Sequence, residues 1–223
     1  MIFTSEQVSC GHPDKICDQI SDAIVATCLS HDRNSRVAAE CMIKDYEVII
    51  AGEITSSYEP DYKALVTEVL FRIGLSDPEE YRVTVYISKQ SPDIALGVDG
   101  NSGAGDQGMM FGYATDETPE MLPIPYAVAT HALELLRELK SPLLLPDAKA
   151  QVSYDYDTGR ITTFLISTQH QEDTSVMDIR PLVEAVMETA GKIKNDNMSD
   201  QDFYKLIREQ SASGQRKKLL TIF

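Results

Sequence analysis

The chain has 223 residues, 43% of them hydrophobic, which suits one large domain or two small ones with a substantial core. Its formal net charge of −15 argues against nucleic acid or an anionic membrane as the partner, because both attract surfaces rich in Lys and Arg. The apolar runs are shorter than a membrane span, and the first six residues do not resemble a signal peptide. We therefore expect a soluble, cytoplasmic protein.

The cysteines indicate a reducing environment. They lie at positions 10, 17, 28 and 41 and form no Cys-x-x-Cys pair. This spacing favours reduced thiols over disulfides or a zinc site.

The first half of the chain alternates helical and extended patterns. The predicted elements are a short strand at 2–5, a helix at 15–30, a hairpin of strands at 37–43 and 47–54, a helix at 61–73 and a strand at 81–88. Gly74 is expected to end the second helix. This order predicts a mixed sheet with helices on one face.

The stretch from residue 9 to residue 15 places an imidazole, a carboxylate and an ammonium on a turn that opens the first helix. Pro13 suits the first turn of a helix, and Gly11 permits a tight turn before it. Free N–H groups at a helix start favour an anion, so His12 and Lys15 are candidate donors to phosphate, and Asp14 is a candidate Mg²⁺ ligand. The alternative is an acidic first turn with a capping role and a solvated lysine.

Residues 89–112 are rich in glycine and aspartate. Such a segment is either a functional loop or a linker. We favour a functional loop, because a linker seldom contains a run like that from Gly103 to Tyr113.

The second half repeats the order of the first. We predict a helix at 125–139, in which His131 is an ordinary histidine on a helix face, a hairpin of strands at 150–156 and 161–168, and a helix at 180–193. Two modules of the same helix-strand-strand-helix type indicate internal duplication. The predicted fold class is α+β, with two related α/β modules that have mixed sheets and helices on one face.

Nine stretches resemble the N-terminal part of S-adenosylmethionine synthetases, in family order up to about Met187. They are Phe3-Thr-Ser-Glu6, Gly11-His-Pro-Asp-Lys15, Asp18-Gln-Ile-Ser-Asp22, Ala51-Gly-Glu-Ile-Thr55, Lys89-Gln-Ser-Pro-Asp-Ile94, Gly103-Ala-Gly-Asp-Gln-Gly108, Phe111-Gly-Tyr-Ala-Thr115, Pro146-Asp-Ala-Lys149 and Ser167-Thr-Gln-His170. The resemblance implies related α/β modules around a pseudo-threefold axis. It assigns residues 13–112 to the first module with its glycine-rich loop, and residues 1–12 plus 120–223 to the second.

The family's reaction is the attack of methionine sulfur on C5′ of ATP, with Mg²⁺ and K⁺ as cofactors; the expelled triphosphate is cleaved to diphosphate and phosphate. Carried over by position, the resemblance implies His12 at the ATP phosphates or ribose and Asp147 with Lys149 at the nucleotide. It makes His12 and Lys149 the catalytic residues.

The resemblance also implies ligands for the metals and for methionine. It places Asp14 on Mg²⁺ and Glu40 near K⁺. It places Glu53 and Gln90 around methionine, and Asp106 on the methionine or adenosine side.

Members of the family continue with a second half that supplies further cations for the phosphates, and this sequence stops about where that half begins. Only Lys15, Lys44, Lys89 and Lys149 lie near the candidate motifs here. We therefore expect a partner chain that supplies the missing cations. The alternatives are a non-catalytic paralogue that binds and regulates a full-length synthase, a truncated chain, and a stand-alone enzyme that hydrolyses triphosphate.

Two smaller features depart from the family pattern. Cys10 replaces the glutamate that usually precedes the Gly-His-Pro-Asp-Lys motif, and the segment 97–102 is shorter than the family's flexible lid. We expect the shorter lid to affect turnover more than chemistry.

An oligomer is expected as well. The hairpin strands 37–43 and 48–54 predict a sheet with two apolar faces, of which a two-module chain covers one. The alternative is that the chain itself covers both faces.

Overall fold

The computed structural model describes residues 1–91 and 108–192. Its elements are β1 (Ile2–Val8), α1 (Pro13–His31), β2 (Arg36–Lys44), β3 (Glu47–Thr55), α2 (Tyr62–Ile73), β4 (Arg82–Ser88), α3 (Ile124–Glu138), β5 (Leu144–Asp155), β6 (Arg160–His170) and α4 (Val176–Lys192), with a short 3-10 turn at Pro78–Glu80. The α+β class is confirmed. None of the helices in the described part of the chain is long and apolar enough to cross a membrane.

The chain divides into two compact units. One contains Cys10–Gly112 and is called here the continuous unit; the other joins Met1–Ser9 to the chain from Tyr113 onward and is called the split unit. As functional domains, the boundaries 13–112 and 1–12 plus 120–223 stay a prediction.

The continuous unit is a three-stranded mixed sheet in the order β2-β3-β4. β2 and β3 form an antiparallel hairpin, whereas β3 and β4 are parallel and are joined through α2. Helix α1 buries Ile20 and Ile24, and α2 buries Val66 and Leu70, in one cluster with the β3 residue Ile50. The helices thus cover one face of this sheet, as predicted.

Both ends of α2 are capped, and the cap at Gly74 is the one expected. The carboxylate of Asp61 accepts a hydrogen bond from the backbone N–H of Ala64 at 3.0 Å. At the other end Gly74 adopts a left-handed φ of 92° and its N–H bonds to Leu70. The sequence prediction for this helix is therefore confirmed to within one residue.

The sheet of the split unit differs from that of the continuous unit in the origin of its third strand. Its sheet has the order β1-β5-β6 and is antiparallel throughout, because the N-terminal strand pairs with β5. Helices α3 and α4 pack on it through a cluster that includes Ala132, Leu136 and Val186 with Val152 of the sheet. The mixed sheet predicted for both modules is found in the continuous unit, whereas the split unit's sheet is purely antiparallel.

Strand β5 begins six residues earlier than the sequence predicted. Its pairing with β6 shifts between Leu144 and Ala148, which marks a bulge. Pro146 lies in this irregular part, where its missing N–H breaks no regular ladder bond. The Pro146-Asp-Ala-Lys149 motif therefore lies within a bulged strand.

A hydrogen-bond network around Glu117 ties the chain before α3 to the sheet of the split unit. Its carboxylate accepts bonds from the phenol of Tyr156 at 2.6 Å, the N–H of Ile124 at 3.2 Å and the hydroxyl of Thr115 at 3.1 Å. Burial alone raises the pKa of Glu117, but these bonds outweigh it and hold that pKa below its ordinary value. Burial and then the bond to Glu117 raise the pKa of Tyr156.

All four cysteines are free thiols. Burial is the main cause that raises the pKa of Cys28 and of Cys41. Both are therefore poor nucleophiles near neutral pH.

We predict that Gly52→Ala strongly destabilises the continuous unit. Gly52 has a φ of 144°, and a Cβ there would overlap the carbonyl oxygen of Ala38 on the neighbouring strand. Strain and overlap together should lower the free energy of unfolding by at least about 2 kcal/mol. Gly74→Ala is the control, because its φ is 92° but open space surrounds it; it should cost about 1 kcal/mol. Urea unfolding measures both, and an equal loss for the two variants contradicts this account.

We predict that Tyr156→Phe changes how stability depends on pH. Because the folded state lowers the pKa of Glu117, this group contributes stability above its unfolded pKa, and that stability is lost as pH falls through the folded pKa. Because the folded state raises the pKa of Tyr156, stability is lost as pH rises above the ordinary tyrosine pKa of 10.0.

Near pH 7 the free energy of unfolding of Tyr156→Phe should be about 1–2 kcal/mol lower than that of the parent. The further loss of stability toward acid and toward alkaline pH should be smaller in the variant than in the parent. Urea unfolding between acid and alkaline pH checks this, with the exposed Tyr46→Phe as control. An unchanged alkaline loss in Tyr156→Phe would refute the assignment.

Candidate active site

His12 is the N-cap of helix α1. Its Nδ1 accepts a hydrogen bond from the backbone N–H of Asp14 at 3.2 Å, and its carbonyl accepts the first helical bond from Ile16. A neutral imidazole that accepts at Nδ1 has its proton on Nε2. The capping role and the anion-binding role predicted for this stretch are thus compatible, because they use different nitrogens of His12. Nδ1 caps the helix, and Nε2–H remains a donor.

The two charged neighbours of His12 differ in their engagement. The Asp14 side chain is 85% exposed, and its carboxylate lies 3.8 Å from Nδ1 of His12. In contrast, the ammonium of Lys15 pairs with Asp18 at 3.0 Å. Asp14 is thus open to a ligand from solvent, whereas Lys15 must leave a carboxylate before it can bind an anion.

Gln19 supports the turn before the helix. Its side-chain amide donates to the carbonyls of Cys10 at 2.9 Å and of Lys15 at 2.8 Å, which connects both sides of Gly11. Cys10 packs against the apolar cluster of this unit. Sequence reasoning missed Gln19; its only signal was its place in the Asp18-Gln-Ile-Ser-Asp22 stretch.

Glu40 and Glu53 lie on the sheet face that the helices leave open. Glu40 is exposed on β2, where exposed and half-buried residues alternate, and it pairs in register with Ala51. Glu53 lies two residues beyond Ala51 on the same face, so the two glutamates are diagonal neighbours.

Gln90 follows β4 at the end of the sheet where Glu53 lies. Its backbone N–H donates to the hydroxyl of Thr55 at 3.3 Å, and Glu53 pairs in register with Ser88. The two predicted methionine ligands of the continuous unit therefore share one end of its sheet.

The metal ligands predicted from the family are single carboxylates. Within residues 1–91 and 108–192, no three His, Cys, Asp or Glu side chains gather as ligands of one metal ion. Mg²⁺ commonly takes one or two carboxylates and completes its shell with substrate phosphates and water. The exposed Asp14 fits that use, and Glu40 offers the same oxygen chemistry to K⁺.

In the split unit Asp147 lies in the β5 bulge, and Lys149 lies two residues later, where β5 pairs regularly again. The ammonium of Lys149 pairs with Glu6 of β1 at 2.6 Å, and both side chains are about half exposed. The hydroxyl of Ser9 donates to the carbonyl of Pro146 and accepts from the N–H of Ala148, both at 2.7 Å. Sequence reasoning assigned no role to Glu6 or Ser9, because these contacts join residues more than 130 positions apart.

His131 is more engaged than predicted. Its Nε2 lies 3.0 Å from Glu120, and its Nδ1 lies 3.2 Å from Glu134 on the same helix. Burial raises the pKa of Glu120. Hydrogen bonds of its carboxylate to its own backbone and to His131 outweigh burial and hold that pKa below its ordinary value. The histidine thus links the start of the α3 region to the helix itself.

One predicted site residue lies outside the described part of the chain. Asp106 belongs to residues 92–107, as do the segment 97–102 and most of the glycine-rich stretch.

The fold and these residues define the class: an α+β protein of two helix-on-sheet units, with polar groups suited to an anionic ligand at a helix start and at a strand bulge. Comparison with family models then identifies the family. Residues 1–92 match the model for the S-adenosylmethionine synthetase N-terminal domain, and residues 101–211 match that for its central domain. The chain belongs to the S-adenosylmethionine synthetase family, which confirms the resemblance found in the sequence.

We predict that His12→Ala destabilises the continuous unit by about 1 kcal/mol, because α1 loses its N-cap. His12→Asn should keep the stability of the parent, since asparagine is a good N-cap. Urea unfolding of the two variants checks this. Equal stability of His12→Ala and the parent protein would show that Nδ1 does not cap the helix.

Proposed function

We propose that the chain is a catalytic part of an S-adenosylmethionine synthase, which converts ATP, L-methionine and water to S-adenosylmethionine, phosphate and diphosphate. The observation that carries the proposal is the start of α1. There a histidine that caps the helix through Nδ1 keeps Nε2–H as a donor, next to an exposed carboxylate, within the Gly11-His-Pro-Asp-Lys15 motif of the family.

The chemistry needs alignment and charge neutralisation more than a general base. Displacement at C5′ requires the sulfur, the carbon and the leaving oxygen to lie in line, while negative charge grows on the triphosphate. In this proposal Nε2–H of His12 donates to the triphosphate, and Asp14 holds Mg²⁺. Bound there, Mg²⁺ would supply positive charge that offsets the charge of the triphosphate.

Lys149 and Asp147 bind the nucleotide in the same proposal. The ammonium of Lys149 leaves Glu6 when the stronger charge of a triphosphate arrives. A half-exposed ion pair is weak enough to exchange, because such pairs contribute no more than about 1 kcal/mol.

Glu53, Gln90 and Asp106 are proposed to bind methionine. A carboxylate complements the amino acid's ammonium, and an amide can both donate and accept. The positions of Glu53 and Gln90 at one end of the β2-β3-β4 sheet support a shared role. Glu40, on the same open face, is the proposed K⁺ ligand.

We also propose that another polypeptide completes the site with further cations. Two of the lysines near the candidate motifs, Lys15 and Lys149, each pair with a carboxylate, in a chain of net charge −15. The open sheet face also carries Met42 and Tyr86, which are 57% and 64% exposed and suit an oligomer interface. A cytoplasmic location, where ATP and methionine are available, belongs to the same proposal.

The test incubates the chain with ATP, methionine, Mg²⁺ and K⁺, alone and with a polypeptide that carries the family's C-terminal part. We expect S-adenosylmethionine and phosphate from the mixture and little from the chain alone. Product from the chain alone would refute the need for a partner. No product in either case would favour the non-catalytic, regulatory alternative.

We predict that Asp14→Asn and Lys149→Ala each lower the rate of the assembled enzyme by about 100-fold or more. Each removes a group that neutralises or positions the triphosphate. The matched control is Asp45→Asn, which changes an exposed ion pair at a hairpin turn. If the two site variants keep the activity of this control, the chain acts as a scaffold and the catalytic proposal is wrong.

A further inference from the structure

The hydroxyl of Ser9 holds the backbone on both sides of Asp147. It donates to the carbonyl of Pro146, the residue before Asp147, and accepts from the N–H of Ala148, the residue after it, both at 2.7 Å. The backbone N–H of Ser9 also donates to the carbonyl of Ala148 at 2.8 Å. Two bonds from one hydroxyl therefore restrain the two peptide groups that flank Asp147, and the third restrains the next peptide group, between Ala148 and Lys149.

The hydrogen bonds of Ser9 act on a part of β5 where the pairing with β6 is irregular. Between the pairs Leu144↔His170 and Ala148↔Thr168, β5 advances four residues while β6 advances two. Residues 145–147 are thus skipped by the register with β6. On the other side, the register with β1 ends at Val8↔Lys149, one residue before Ser9. Ser9 continues the attachment of β1 to β5 where the regular ladder stops.

We propose that Ser9 is a positioning residue for the nucleotide, acting through the backbone of Asp147 and of the chain leading to Lys149. This inference rests on the proposed function, which assigns those two residues to ATP. The hydroxyl fits the role because it donates and accepts at once, as the two peptide groups of a bulge require. An alanine there would leave a carbonyl and an N–H without this partner, and the bulge would sample other conformations.

The first arm of the test measures hydrogen exchange at the Ala148 amide in the full chain. Ser9→Ala should raise its exchange rate by about tenfold or more, since the amide loses its acceptor. Ser9→Thr keeps the hydroxyl and should stay within about twofold of the parent. The matched control is Thr4→Val, which removes a hydroxyl bond of 2.8 Å to Ser153 between the same two strands. It should leave Ala148 unchanged; unchanged exchange in Ser9→Ala overturns the inference.

The second arm measures kinetics of the assembled enzyme and titration with the Mg²⁺ complex of a non-hydrolysable ATP analogue. For Ser9→Ala we expect the KM for ATP and the Kd for the analogue to rise about tenfold, with the KM for methionine within about twofold. Ser9→Thr should restore both values. Thr4→Val should have the same KM for ATP as the parent.

The outcomes separate the two proposals. Faster exchange in Ser9→Ala with an unchanged KM for ATP shows a purely structural role and overturns the inference. If the parent itself neither binds the analogue nor forms product, the proposed function fails, and the role of Ser9 toward the nucleotide fails with it, whatever the exchange arm gives.

Discussion

One hydrogen bond, from the N–H of Asp14 to Nδ1 of His12, determines the chemistry available at the start of α1. It begins the helix, and it leaves the imidazole proton on Nε2, so the side chain that caps the helix can also donate to an anion. The side-chain amide of Gln19 stabilises the preceding turn by donating hydrogen bonds to the carbonyls of Cys10 and Lys15. The helix start is therefore ordered before any ligand arrives, which reduces the entropy lost on binding.

Charge is the second constraint on this protein. In the proposed function a triphosphate must be neutralised, yet the lysines nearest the two candidate phosphate sites are paired with Asp18 and Glu6. Exposed pairs of this kind exchange partners at small free-energy cost. The same pairing keeps Lys15 and Lys149 in place while the site is free of ligand. It also explains why Mg²⁺ and cations from a further polypeptide belong in the proposal.

The sequence predicted the elements well because their signals are local. The helical spacing in α1 and the glycine at the end of α2 were sufficient, and the motifs led to the family. What it could not predict depends on contacts between distant positions. The bonds of Ser9 join residues more than 130 positions apart, and the early start of β5 and the bulge at Pro146 belong to its irregular pairing with β6. For the same reason, the antiparallel third strand of the split unit could not be read from local patterns.

The most direct test of this account is ¹⁵N NMR of histidine-labelled protein above neutral pH, with His12→Asn used to assign the His12 signals. The account predicts an unprotonated Nδ1 and a protonated Nε2 for His12 in the free protein. It also predicts a shift of the Nε2 signal when the Mg²⁺ complex of a non-hydrolysable ATP analogue is added to the assembled enzyme. A proton on Nδ1 in the free protein, or an Nε2 signal that does not respond to the nucleotide, would contradict it.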